Sequence, residues 1–95
     1  MATRISTTPL FQLGVINATC GVRSKVTQEE ALIALSRHVV GDWGNVGQQD
    51  WKENDRSVEC GLRILSSYVG GASVTYWVIT EADRSATTIL LPGEY

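Results

Sequence analysis

Val74-Thr75-Tyr76-Trp77-Val78-Ile79-Thr80 and Ala86-Thr87-Thr88-Ile89-Leu90-Leu91 are two β-rich runs, and between them lies the polar segment Glu81-Ala82-Asp83-Arg84-Ser85. Strand formers on both sides of a short polar link predict a β-hairpin with a charged tip. A hairpin commits the domain to antiparallel pairing and gathers Glu81, Asp83 and Arg84 at one end of the sheet.

Working upstream, Leu62–Val69 (LRILSSYV) predicts another strand, and Gly70-Gly71 a tight turn joining it to the hairpin. Asp50-Trp51-Lys52-Glu53 supplies an N-cap residue with a carboxylate three positions on, which predicts a helix over 51–60 stopped by Gly61. Gly41–Gln49 carries three glycines and reads as a loop. Thr27-Gln28-Glu29-Glu30 fits a capping box, and Ala31, Leu32, Leu35 and Val39 share one face of a helix over 28–39. Leu13–Thr19 predicts the first strand, with Gly14 marking a bulge or a close backbone approach and Gly21 a turn. Residues 1–9 read as a flexible tail ending at Pro9, and residues 10–95 as one domain.

The expected architecture is α+β: a mainly antiparallel four-stranded sheet with two helices packed on one face. The expected core contains Val15, Leu32, Leu35, Val58 and Ile64, with Val78 or Ile79 and Ile89 or Leu90. Tyr76 and Trp77 alternate along a strand, so one should be buried and the other exposed. An exposed aromatic beside Thr75, Thr87 and Tyr68 would form a binding surface, unless the same array is only cross-strand packing.

Composition narrows the function classes. The chain has 95 residues, 43% apolar and 19% charged, ordinary values for a folded domain. A chain of this size buries only about 60–65% of its unfolded surface. A homodimer would add stability, though nothing in the sequence demands one. Net charge is −2, and the eight Lys and Arg residues are scattered. That disfavours direct nucleic-acid binding, which needs clustered basic residues. It also disfavours a nucleic-acid mimic, which needs a dense acidic face. No apolar run is long enough to span a bilayer, and the first nine residues lack the apolar segment of a secretory signal. A cytoplasmic chain is expected, with Cys20 and Cys60 as small buried thiols. Two cysteines and one histidine without C-x-x-C spacing make no typical zinc site, and no cofactor pattern is present.

His38 is the sole histidine. A hydrolase would pair it with Asp42 or Asp83 and with Ser36, Ser85 or Cys20, but nothing in the sequence places these together. The plainer reading is a histidine at the negative end of a helix. No catalytic residue and no enzymatic activity are expected. Trp43, between Gly41 and Gly44, reads either as an interface anchor or as a lid folded back on the core. Glu81 and Asp83 read either as a recognition pair or as turn residues.

Three stretches bear a further resemblance. They are Pro9–Gly14 with Ala18-Thr19 and Gly21; His38 with Gly41-Asp42-Trp43-Gly44, Asp50 and Asn54-Asp55; and Ile79–Ser85 through Leu90-Leu91-Pro92 to Glu94-Tyr95. Together they resemble a family of small bacterial proteins carried on plasmids and genomic islands. The likeness spans nearly the whole chain from Pro9. It departs at Cys20, where the family favours proline, and the chain is shorter between Ser67 and Tyr76. The family carries no established activity, so no catalytic residues transfer. It implies the company of mobile elements, which encode small inhibitors of bacterial defence systems, including anti-CRISPR and anti-restriction proteins. The expected function is therefore a non-enzymatic inhibitor that binds a protein complex of such a system. The alternative is a plasmid-borne accessory or regulatory protein contacting nucleic acid. The expected docking surface joins Asp42, Trp43, Asp50, Glu81, Asp83 and Arg84, an aromatic anchor among carboxylates.

Overall fold

The structure, a computed structural model, describes residues 8–95, so the expected tail over 1–9 lies almost entirely outside the described residues. The elements run β1 (Val15–Ala18), α1 (Cys20–Lys25), α2 (Gln28–His38), α3 (Gln48–Cys60), β2 (Ile64–Val69), β3 (Thr75–Thr80) and β4 (Ala86–Leu90), followed by a 3₁₀ turn at Pro92–Glu94. The four strands form one sheet in the order β1-β4-β3-β2. β2, β3 and β4 are an antiparallel meander, and the β3–β4 hairpin closes over the expected tip. β1 joins the outer side of β4 in parallel, so the sheet is mixed. A parallel partner needs a crossover, and here α1, α2, α3 and the first two meander strands together make that connection.

Three helices form where two were expected. The missed one, α1, is only six residues long, and its N-cap is Thr19, whose hydroxyl accepts from the Val22 amide at 3.2 Å. Gly21 lies inside that first turn because Glu94 crowds it: a Cβ there would fall 2.4 Å from the Glu94 carboxylate. The same carboxylate accepts from the Thr19 hydroxyl at 2.6 Å and the Leu91 amide at 2.8 Å, tying the C-terminus to α1. In α2 the Thr27–Glu30 capping box is complete. Glu30 also accepts from the Gly71 amide, fixing the β2–β3 loop to the helix. That loop turns through Ser73 at φ +60°, not through a two-residue Gly-Gly turn. The N-cap of α3 is Gly47, three residues before the expected Asp50 cap, and Asp50 lies in the helix's first turn.

Pairing register assigns the sheet's faces. Ile64, Ser66, Tyr68, Tyr76, Val78, Thr80, Thr87 and Ile89 share one face. Against it pack Val22 and Val26 of the α1 segment and Ala34 and Leu35 of α2, completing the apolar core. α3 gives no side chain to that core. It lies along the outer edge of β2, where the Asn54 amide donates to the Leu65 carbonyl at 2.7 Å and accepts from the Leu65 amide at 3.2 Å. On the opposite face Tyr95 folds back edge-on against Trp77, with ring centroids 5.9 Å apart.

Several core expectations need correction. Val15 and Leu32 are exposed, at 65% and 59%. Val15 sits on an edge strand, and Leu32 is one step round α2 from Ala31, off the buried stripe. Val58 is half-buried. Leu35, Ile64, Val78, Ile79, Ile89 and Leu90 are buried. Tyr68 and Thr87 share the buried face with Tyr76, so they form no exposed aromatic surface. Cys20 and Cys60 are both exposed.

The Trp43–Asn45 segment completes the cover of β2. The Ser67 amide donates to the Trp43 carbonyl at 3.1 Å, and the Asn45 amide donates to the Ser67 carbonyl at 2.7 Å. Gly44 between them holds φ +76°, and a Cβ there would sit 2.1 Å from the Ser67 carbonyl oxygen. Gly44→Ala is therefore expected to cost more than about 1 kcal/mol, since the positive φ and the clash act together. Urea unfolding checks this, and an unchanged midpoint would show that the segment does not hold the edge.

Candidate functional site

His38 ends α2 on the same helical face as Ala31 and Ala34, so its ring enters the core over the middle of the sheet. It is fully buried. Nδ1 lies 2.5 Å from Ser66 Oγ on β2, and Nε2 lies 2.9 Å from Thr80 Oγ1 on β3. Thr80 Oγ1 is 2.7 Å from Thr87 Oγ1 on β4, and Thr87 donates to the Leu13 carbonyl at 2.7 Å. Each hydroxyl has one proton, so the direction of the relay follows. Thr87 gives its proton to Leu13 and must accept from Thr80. Thr80 must then accept from His38 Nε2–H. Nδ1 is left bare and accepts from Ser66. The network thus assigns the Nε2–H tautomer of a neutral ring.

Burial pushes the His38 pKa down to about 3, and the nearby Arg84 charge acts in the same direction. The pair His38–Ser66 resembles a base and its nucleophile. Both residues are sealed from solvent, the ring's other nitrogen meets a threonine hydroxyl where a triad has a carboxylate, and the ring is a weak base. The sequence did not bring His38 to Ser66. Both ring nitrogens are taken by Ser66 and Thr80, and none of the expected partners Asp42, Asp83, Ser36, Ser85 and Cys20 bonds to it. The available signal was alternation: Ser66, Thr80 and Thr87 each occupy inward positions among apolar neighbours.

Phe11, His38, Trp43 and Arg84 form a column over this relay. Phe11 packs edge-on to His38 at 5.3 Å and stacks with Trp43 at 6.2 Å. The Arg84 guanidinium lies 5.4 Å from the Phe11 ring centre. Trp43 is fully buried, with its indole N–H donated to Asp55 at 2.9 Å. It is the folded-back lid and offers no ring to a partner. Asp42 is engaged as well: Arg37 Nε donates to it at 2.8 Å, and it accepts from the Gly44 amide at 3.3 Å.

Arg84 staples the hairpin tip to the end of α3. Its Nη2 donates to the Ser57 carbonyl at 2.8 Å, and its Nη1 to Leu62 at 2.7 Å and to Glu81 and Ala82 at 3.2 Å. A cation on the last carbonyls of a helix is favourably placed. Arg84 itself holds φ +62°, which this crowd of acceptors over-determines. Asp83 accepts from the Ser85 amide at 3.0 Å, and bonds to Ser85 hold its carboxyl below the ordinary 3.8. Glu81 and Asp83 stand exposed on this fixed tip.

Of the six expected docking residues, Trp43 and Arg84 therefore meet on either side of Phe11, and Glu81 and Asp83 rim the tip beside Arg84. Asp50 does not join them. It lies at the start of α3, about 10 Å of helix away from Ser57. Among the described residues no three His, Cys, Asp or Glu side chains could hold a metal ion, and no helix is long and apolar enough to cross a membrane. No known protein family, curated protein or solved structure matches this chain.

His38 should write a distinct pH dependence into stability. A ring buried neutral binds its proton less well than the same ring in the unfolded chain. Stability is thus full above the ordinary value of 6.5 and is lost as pH falls toward about 3. The upper part of that window lies above the carboxylate range and belongs to the sole histidine. Urea unfolding should show stability declining with a slope approaching about 1.4 kcal/mol per pH unit. A flat profile from neutrality to mildly acid pH would contradict the buried neutral ring.

Proposed function

We propose that this chain is a non-enzymatic inhibitor carried on a mobile genetic element, which binds a protein complex of a bacterial defence system of the CRISPR or restriction type. The observation that carries this reading is the Glu81–Ser85 tip. Arg84 fixes its backbone through four carbonyls, and Glu81 and Asp83 project from it into solvent. Glu81 spends its side chain on no hydrogen bond or ion pair within the described residues. A fixed tip backbone loses little entropy on docking, and its two carboxylates suit the basic surface of a nucleic-acid-handling protein. Internal roles occupy the rest of the expected surface. Asp42 and Arg84 satisfy backbone and side-chain partners, and Trp43 holds its segment on β2. The binding energy is therefore assigned to the tip, with Asp50 as an outlying charge. The resemblance to plasmid and genomic-island proteins supplies the class of target.

The test is plasmid interference. In cells carrying an active CRISPR or restriction system, expression of the chain should raise the transformation efficiency of a targeted plasmid. Glu81→Gln/Asp83→Asn keeps the Asp83 turn acceptor and removes both charges. It should weaken target binding by roughly 2 kcal/mol or more, the hot-spot range, with thermal stability little changed. Full protection by the double variant would exclude the tip, and no protection by the wild type would exclude the function.

A further inference from the structure

The two edges of the sheet are treated differently. β2 is covered by Trp43–Asn45 and by Asn54. β1 is covered by nothing among the described residues; it is short, at four residues, but it carries neither the charge nor the proline that usually blunts a free edge. From Thr8 to Val22 there is not one charged residue. Val15 and Ile16 are 65% and 44% exposed. In the parallel ladder the Val15 amide bonds to Ser85 and the Thr19 amide to Ile89. Residues 15, 17 and 19 thus turn their backbone groups to β4, and Ile16 and Ala18 turn theirs outward.

The helix layer also stops short on this side. Pairing of Ile16 with Thr87 and of Ala18 with Ile89 places both β1 residues on the helix-bearing face. There a cleft of about 340 Å³ opens between β1 and the helices, lined by the apolar Ala18, Val22, Val26, Ala31 and Ile89 and by Arg23 and Thr27. Gln28 stands at the same cleft. Leu32, one turn further along α2 and 59% exposed, continues that flank.

We propose that β1 is a dimerisation edge, at which two copies of this chain pair antiparallel across a two-fold axis through Asn17. The result is a continuous eight-stranded sheet. Ile16 of each copy exchanges both backbone hydrogen bonds with Ala18 of the other. The axis is perpendicular to the sheet, so both helix layers lie on the same face and the two Leu32 flanks approach over the joined strands. One operation thereby covers the open backbone, Ile16 and the unfinished end of the helix layer. A single docked strand would cover the backbone alone. An uncharged edge meets its own copy without like-charge repulsion and offers a charged partner nothing to select.

The geometry gives a sharp test. Asn17 faces Asn17 of the second copy in a non-hydrogen-bonded pair, with Cβ atoms about 4.5–5.5 Å apart, close enough for a disulfide after a small shift. In the full chain carrying Cys20→Ser and Cys60→Ser, Asn17→Cys should form a disulfide dimer under mild oxidation. Leu62→Cys, exposed but remote from β1, should not. Light scattering should give twice the chain mass for the wild type. Ile16→Lys should halve it, with an unchanged circular dichroism spectrum. A monomeric wild type would overturn the proposal. So would a dimer that survives Ile16→Lys and fails to cross-link at position 17. If Ile16→Lys does not fold, cross-linking at position 17 against position 62 decides alone.

Discussion

The fold depends on one buried polar chain, Ser66→His38→Thr80→Thr87→Leu13, which ties α2 to three successive strands and to the segment entering β1. Its cost explains its rigidity. Ser66, His38, Thr80 and Thr87 are shielded from water, and a buried donor or acceptor left without a partner costs about 1–3 kcal/mol. A shift of α2 by one residue, or of β2 against β3 by one pair, would strand several groups at once. Apolar packing also penalises a strand slip, by turning inward side chains out of the core, and the directional bonds add to that penalty. The relay therefore acts as a register key, and burial, with the Arg84 charge nearby, keeps its ring neutral.

The same centre links the lid to the tip. Phe11 lies on His38, Trp43 lies on Phe11, and Arg84 approaches Phe11 from the hairpin. Arg84 then spreads over the carbonyls that end α3. The tip backbone that carries Glu81 and Asp83 thus inherits its fixed position from the core, through one arginine. At the far side of the sheet the constraint fades. β1 is held by its ladder to β4, and among the described residues nothing covers its outer edge or its side of the helix layer. The molecule has one finished edge and one unfinished edge, which is why its two proposed surfaces lie on different parts of the fold.

Much of this was legible in the sequence where local chemistry decides. The Thr27–Glu30 capping box, the Gly61 stop and the β3–β4 hairpin all form from neighbouring residues, and they form as read. What depends on distant partners was not legible. α1 was hidden because Gly21 looks like a turn residue until Glu94, far along the chain, fills the space above it. Parallel pairing of β1 leaves no local signature. Val15 and Leu32 follow apolar patterns, yet they lie on an edge and a flank that the described residues leave exposed. Trp43 between glycines has the composition of a displayed ring. Its burial follows from Gly44 bonding alongside Ser67, a contact no spacing rule predicts. The site was legible only as a set of residue types: the tip carboxylates were visible, and the internal tasks of Asp42 and Arg84 were not.

The most direct test of the buried relay is nitrogen NMR of the His38 ring in the folded chain. The directed relay requires a protonated Nε2, a bare Nδ1 and no titration as pH falls through 6.5. A ring that titrates near that value, or one protonated at Nδ1, would contradict the directed relay and the register it sets.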